Sequence, residues 1–126
     1  METQLTPIEL AKQVFINFYI HRDIENVLRH FTKTISWIGP CDQEYFTSYE
    51  EIEQYFKAGN DAVPTCHLFF QDMRVLKEDE HSALVMGRFL VSTDAKEGML
   101  LEVKQRASFY ICLLYTSIHQ RMLLRL

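Results

Sequence analysis

With 126 residues, 48% of them hydrophobic and 24% charged, the chain has the size and make-up of one globular domain. Its formal charge of −4, with no stripe of Lys and Arg interleaved with aromatics, argues against a nucleic-acid partner. No apolar run reaches the roughly 18–20 residues that span a bilayer, and Met1-Glu2-Thr3-Gln4 lacks the basic start of a signal peptide. No membrane partner and a cytoplasmic location are therefore expected. Cys41, Cys66 and Cys112 are odd in number and widely spaced, which suits free thiols and neither zinc nor a disulfide scaffold.

The first helix is announced by Thr6-Pro7-Ile8-Glu9: a hydroxyl at the N-cap, proline at the first helical position, glutamate at the third. Ile8, Ala11, Val14, Phe15, Phe18 and Tyr19 then recur at spacings of three and four, predicting a helix over 7–20. Asp23 caps a second helix over 24–31, reached through the tight corner His21-Arg22-Asp23. Residues 34–38 form a first strand ended by Gly39-Pro40. Ser48-Tyr49-Glu50-Glu51 is another capping box, opening a helix over 49–58 that stops at Gly59.

After Pro64 the period changes from about 3.6 to about 2. Three long strands are predicted over 66–76, 82–92 and 99–114, joined by the charged loops 77–81 and 93–98. Strands of that length exceed the usual about ten residues and must bend or coil, with Gly87 as the expected bend point. Helices at one end and an antiparallel sheet at the other give an α+β fold with the helices covering one sheet face. Residues 1–117 are expected to form the single domain and 118–126 an atypical tail. Cys112-Leu113-Leu114-Tyr115-Thr116-Ser117 matches one reading frame of a common sequencing-transposon end, which marks the tail as non-native. The competing reading is a short basic helix carrying Arg121 and Arg125.

Several words of the sequence occur in a telling order. They are Arg22-Asp23, Ile35-Ser36-Trp37-Ile38-Gly39, Tyr49-Glu50-Glu51-Ile52, the run from Gly87 to Asp94, and Gln105-Arg106-Ala107-Ser108-Phe109. In this order, over residues 6–111, the chain resembles the SnoaL-like, nuclear-transport-factor-2-like superfamily, and within it a subfamily of bacterial sensor modules. The resemblance implies a cone, the cystatin-like α+β roll, whose curved antiparallel sheet wraps around the N-terminal helices and leaves a pocket at its open end. It also implies a sensory role, with a signalling output domain often following, and a closing strand beside the last long one, which in this chain is expected to be missing or replaced, as if truncated at the C-terminus.

Alternation of faces selects the candidate residues. Ala83, Val85, Gly87, Phe89 and Val91 share one face, and Leu84, Met86, Arg88 and Leu90 the other. Arg88 among apolar neighbours needs a carboxylate, an anionic ligand or a wet rim. Gln105 is the polar member of an apolar face, as a pocket hydrogen-bonding group or a satisfied core amide. Trp37, Tyr55 and His67 complete the expected ligand-binding set, each with core or structural packing as the rival reading. If the site were catalytic, Asp72 or His67 would be the base and Tyr19 or Tyr55 the hydrogen-bond donor, the chemistry of ketosteroid-isomerase-like members.

No matched acid–base pair and no metal-ligand spacing is recognisable, so no metal and no cofactor is expected. The leading expectation is a non-enzymatic small-molecule-binding or sensory module, forming a homodimer through the outer sheet face. The alternative is a small cofactor-free isomerase, cyclase or hydratase. Phe15, Phe18, Trp37, Phe69, Phe89 and Phe109 are expected to form the core.

Overall fold

A computed structural model describes residues 5–38, 42–59, 65–93, 102–112 and, for the backbone, 121–125. The expectations placed on Gly39-Pro40, Cys41, Pro64 and most of the loop 93–98 lie outside the described residues.

Helix α1, Pro7–Phe15, begins where its capping residues say it should. The Glu9 amide donates to Thr6 Oγ1 at 3.2 Å and the Thr6 amide donates to Glu9 Oε2 at 3.1 Å, closing the box in both directions. Thr6→Ala should therefore cost about 0.5–2 kcal/mol in chemical denaturation, and a cost near zero would show that the cap is redundant. The same helical path continues past Phe15 as a π-helical turn, Ile16–His21, a local widening that sequence periodicity does not signal. Arg22 ends it in the left-handed region at φ 54°, uncommon for a non-glycine residue. Its guanidinium folds back to donate to the Phe18 carbonyl and lies 4.9 Å from the Phe18 ring centre, which offsets the backbone cost.

Asp23 caps α2, Ile24–Arg29, by accepting from the Asn26 amide at 3.3 Å. The first strand is shorter than predicted: β1 is Trp37–Ile38, and it pairs with an unpredicted β2, Tyr45–Phe46. Helix α3, Tyr49–Gly59, is capped by Ser48, whose Oγ accepts from the Glu51 amide at 3.3 Å, and buries Ile52 and Phe56.

The main sheet is antiparallel in the order β3-β4-β5-β6, with β3 His67–Glu78, β4 Ser82–Ser92, β5 Glu102–Cys112 and β6 Arg121–Arg125. Residues 121–125 thus run as a strand beside β5, from Cys112↔Arg121 to Ser108↔Arg125, in place of the basic helix weighed above. The β3–β4 hairpin is tied by Asp79, whose Oδ1 accepts from the His81 and Ser82 amides, both at 2.8 Å. Those bonds hold its carboxyl below the usual range.

No bulge falls at Gly87, the expected bend or bulge point. Gly87 stays in register with Met73 and Ala107, and the irregularities fall in β3, between Phe70 and Asp72 and between Val75 and Lys77. What Gly87 provides is room, because a Cβ there would run into the Met73 thioether. The bulge after Phe70 also corrects one core assignment: Phe70 faces Phe89 on the helix side, and Phe69 points away with 63% of its surface exposed.

The fold is an α+β cone. Its core lies where the helices meet the inner sheet face: Phe15 sits 4.3 Å from Phe89 and 5.0 Å from Phe109, ring centre to ring centre. Beside that group, Phe56 packs edge-on against Trp37 at 5.0 Å and tilted against Phe18 at 5.1 Å.

Candidate functional site

Aromatic groups around Phe15 and Phe56 pack in the region between helices and sheet where a cavity was expected. The concavity described by the structure lies on the opposite face of the sheet. Directly opposed residues of an antiparallel pair point to the same side, so the register builds this outer face row by row. His67, Ser92 and Glu102 form one row, and Phe69, Leu90 and Lys104 the next. Asp72, Arg88 and Arg106 follow, then Arg74, Met86 and Ser108. The middle of these rows, with Gly87 and residues 104–108, lines an open cavity of about 810 Å³.

Its charge is unbalanced. Asp72 is the only carboxylate among the lining residues, and Arg74 holds it in a fork, Nη2 to Oδ2 at 3.0 Å and Nε to Oδ1 at 3.2 Å. Arg88 and Arg106 stand side by side across the strands, with Lys104 in the adjacent row.

Of the expected ligand-binding residues, Arg88 and Gln105 line this cavity and the others do not. Trp37 is 5% exposed and packs between Phe31 and Phe56; its indole N–H is buried without a partner among the described residues. Tyr55 is 42% exposed on α3, its ring 5.0 Å from Phe46. His67 is exposed at the end of the outer face.

The candidate catalytic residues are not brought together either. Tyr19 is on the helix side, 6.0 Å from Phe15 and 6.2 Å from Phe89 by ring centres, whereas Asp72 and His67 are on the outer face. Burial pushes the Tyr19 phenol up to about 12, with smaller contributions in the same direction from Cys66 and Glu44. Burial likewise raises the Cys66 thiol, whose backbone N–H donates to the Tyr19 carbonyl at 3.0 Å.

Sequence reasoning missed Arg74, Lys104 and Arg106. The alternation of Lys104 and Arg106 along β5 is visible in the sequence, but only the pairing Arg88↔Arg106 reveals that the cations converge. Among the described residues no group of three His, Cys, Asp or Glu could hold a metal ion, and no helix is long and apolar enough to cross a membrane.

The family model for the SnoaL-like domain matches residues 8–111. The chain belongs to that family. No curated protein matches this SnoaL-like domain. Among solved structures, the domain resembles the association domain of C. elegans CaMKII at a TM-score of 0.69 and 14% identity, covering 90% of this chain and 88% of that one. It also resembles a ketosteroid isomerase-like protein from Erwinia carotovora atroseptica (TM-score 0.68, 15% identity, 99% and 97% covered). The beta subunit of the Burkholderia mallei benzoate 1,2-dioxygenase is similar as well (TM-score 0.71, 10% identity, 99% and 91% covered). At these identities the likeness is one of fold, and it extends over nearly the whole SnoaL-like domain.

Proposed function

We propose that this SnoaL-like domain is a non-enzymatic small-molecule-binding module of the sensory kind, acting in the bacterial cytoplasm beside a signalling partner. The observation that carries this reading is the outer cavity of about 810 Å³, whose single carboxylate is already engaged by Arg74. A general base must aim a lone pair at its substrate, and the fork with Arg74 takes one lone pair of each Asp72 oxygen and fixes the carboxylate's orientation. Arg88 is the ligand-facing residue of this proposal; Gln105 borders the cavity but is paired with Phe89, so its side chain belongs to the helix side, and Trp37, Tyr55 and His67 stand outside the cavity.

The test is a thermal-shift screen with metabolites, followed by product analysis of every hit. A ligand at a hundred times its dissociation constant stabilises by about 2.7 kcal/mol, a shift of several degrees. The expected outcome is a hit recovered unchanged after long incubation. A hit that is converted, with conversion lost in Asp72→Asn, would move the assignment to the cofactor-free isomerase, cyclase or hydratase reading.

A second reading, a homodimer through the outer sheet face, draws on the exposure of Phe69, Met86 and Tyr110 there. Opposing it, a two-fold axis through the middle of this face would bring the Arg88 and Arg106 rows of both copies together. Sedimentation across a concentration range separates the two.

A further inference from the structure

We infer that the outer cavity takes an oxyanion: a small organic acid or phosphate-bearing molecule held by Arg88 and Arg106, with Lys104 beside them. This deepens the small-molecule reading above by naming the class of its ligand. Arg88 and Arg106 are direct cross-strand partners on one face, and like charges in that relation repel. The carboxylate that completes their row, Asp72, is forked to Arg74, and no carboxylate contacts Arg88, Lys104 or Arg106 among the described residues. The chain as a whole carries a net charge of −4, so four cations lining one cavity with a single carboxylate run against its composition. A planar or tetrahedral oxyanion set between two guanidinium forks supplies the missing charge and accepts their N–H groups in pairs. Met86, in the row beside the arginines and partly exposed, offers an apolar contact for the body of such a ligand.

The experiment titrates the unaltered chain with sodium benzoate and with inorganic phosphate, against sodium chloride at matched ionic strength, and follows the melting midpoint. Both oxyanions should raise the midpoint where chloride does not, and benzoate should exceed phosphate if Met86 contacts the ligand body. Arg88→Gln and Arg106→Gln should each weaken that protection by about tenfold or more, the loss of a charge-assisted hydrogen-bonded contact. Without ligand each variant should melt at or slightly above the parent, by up to about 3 °C, because the repulsion is gone. Arg106→Lys, which keeps the charge but loses the fork, serves as the second variant and should fall between the parent and Arg106→Gln. Midpoints that follow ionic strength alone, or protection that survives the substitutions, would overturn the inference. So would a concentration-dependent dimer abolished by Arg88→Gln, which would assign the face to a second copy. A neutral ligand that binds parent and variants equally would remove the oxyanion and leave the binding-module reading intact, whereas no ligand of any charge would remove both.

Discussion

Phe89→Ala should lower the stability of this domain by about 3–5 kcal/mol, the range for deleting a buried aromatic ring that leaves a cavity behind. Phe89 is fully buried, and the rings around it are Phe15 at 4.3 Å, Tyr19 at 6.2 Å and Phe70 at 6.2 Å. Those neighbours come from the helix and from the adjacent strand, so neither element can collapse into the void without moving the other. A loss of that size is a large part of the about 5–15 kcal/mol that holds a domain together. Urea unfolding should show a lower midpoint with an unchanged slope, since the surface exposed on unfolding barely changes. Phe69→Ala is the internal control. Phe69 precedes Phe70, the cross-strand partner of Phe89, but projects from the other face, and its truncation should stay within about 0.5 kcal/mol. Equal losses at Phe89 and Phe69 would place both rings in the core and overturn the outward placement of Phe69.

The second large effect is expected in alkali. The Tyr19 phenol ionises near 10 in the unfolded chain and at about 12 in the folded one, because burial opposes the phenolate. Above pH 10 the unfolded state has released that proton and the folded state still holds it. Stability is thus full below about pH 10 and falls as the pH rises toward 12, by an amount on the order of 2–3 kcal/mol. Cys66 acts in the same direction from a lower pH, since burial raises its thiol too, while Arg22, near both groups, favours their charged forms. Tyr19→Phe should abolish the part of the alkaline loss that belongs to the phenol and leave the thiol part in place. Urea midpoints collected between pH 8 and 11.5 measure the difference. An identical alkaline profile in Tyr19→Phe would show that the phenol is hydrated in the folded state.

The parts of the fold legible in the sequence are those written in side-chain chemistry. Thr6, Asp23 and Ser48 each cap the helix they announce, and the alternation along β4 predicts which of its residues are buried. What escaped was decided by the backbone or by register. Nothing in Phe69-Phe70-Gln71-Asp72 signals that one residue will be skipped in pairing, so the sequence does not tell which of Phe69 and Phe70 faces the core. The π-helical turn has the same apolar spacing as the α-helix it extends. Neither helix nor strand periodicity tells that Phe15 closes against both Phe89 and Phe109 on the helix side. Arg88 was recognised as needing a counter-charge. That its cross-strand neighbour is another arginine depends on a pairing eighteen positions along the chain, which no local pattern encodes.

The two irregularities in β3 bear on how this strand can change length over descent. Gln71 and Leu76 are the residues passed over in pairing with β4, so each is a place where the strand carries one more residue than its partner. A relative missing a residue at either place would keep Asp72, Arg74 and Lys77 facing outward. A deletion between Asp72 and Val75 would turn every side chain up to the next irregularity to the other side, sending Arg74 toward the aromatic core. Gaps in this strand should accordingly collect at these two positions, and the cationic outer face should survive them where it would not survive a gap anywhere between.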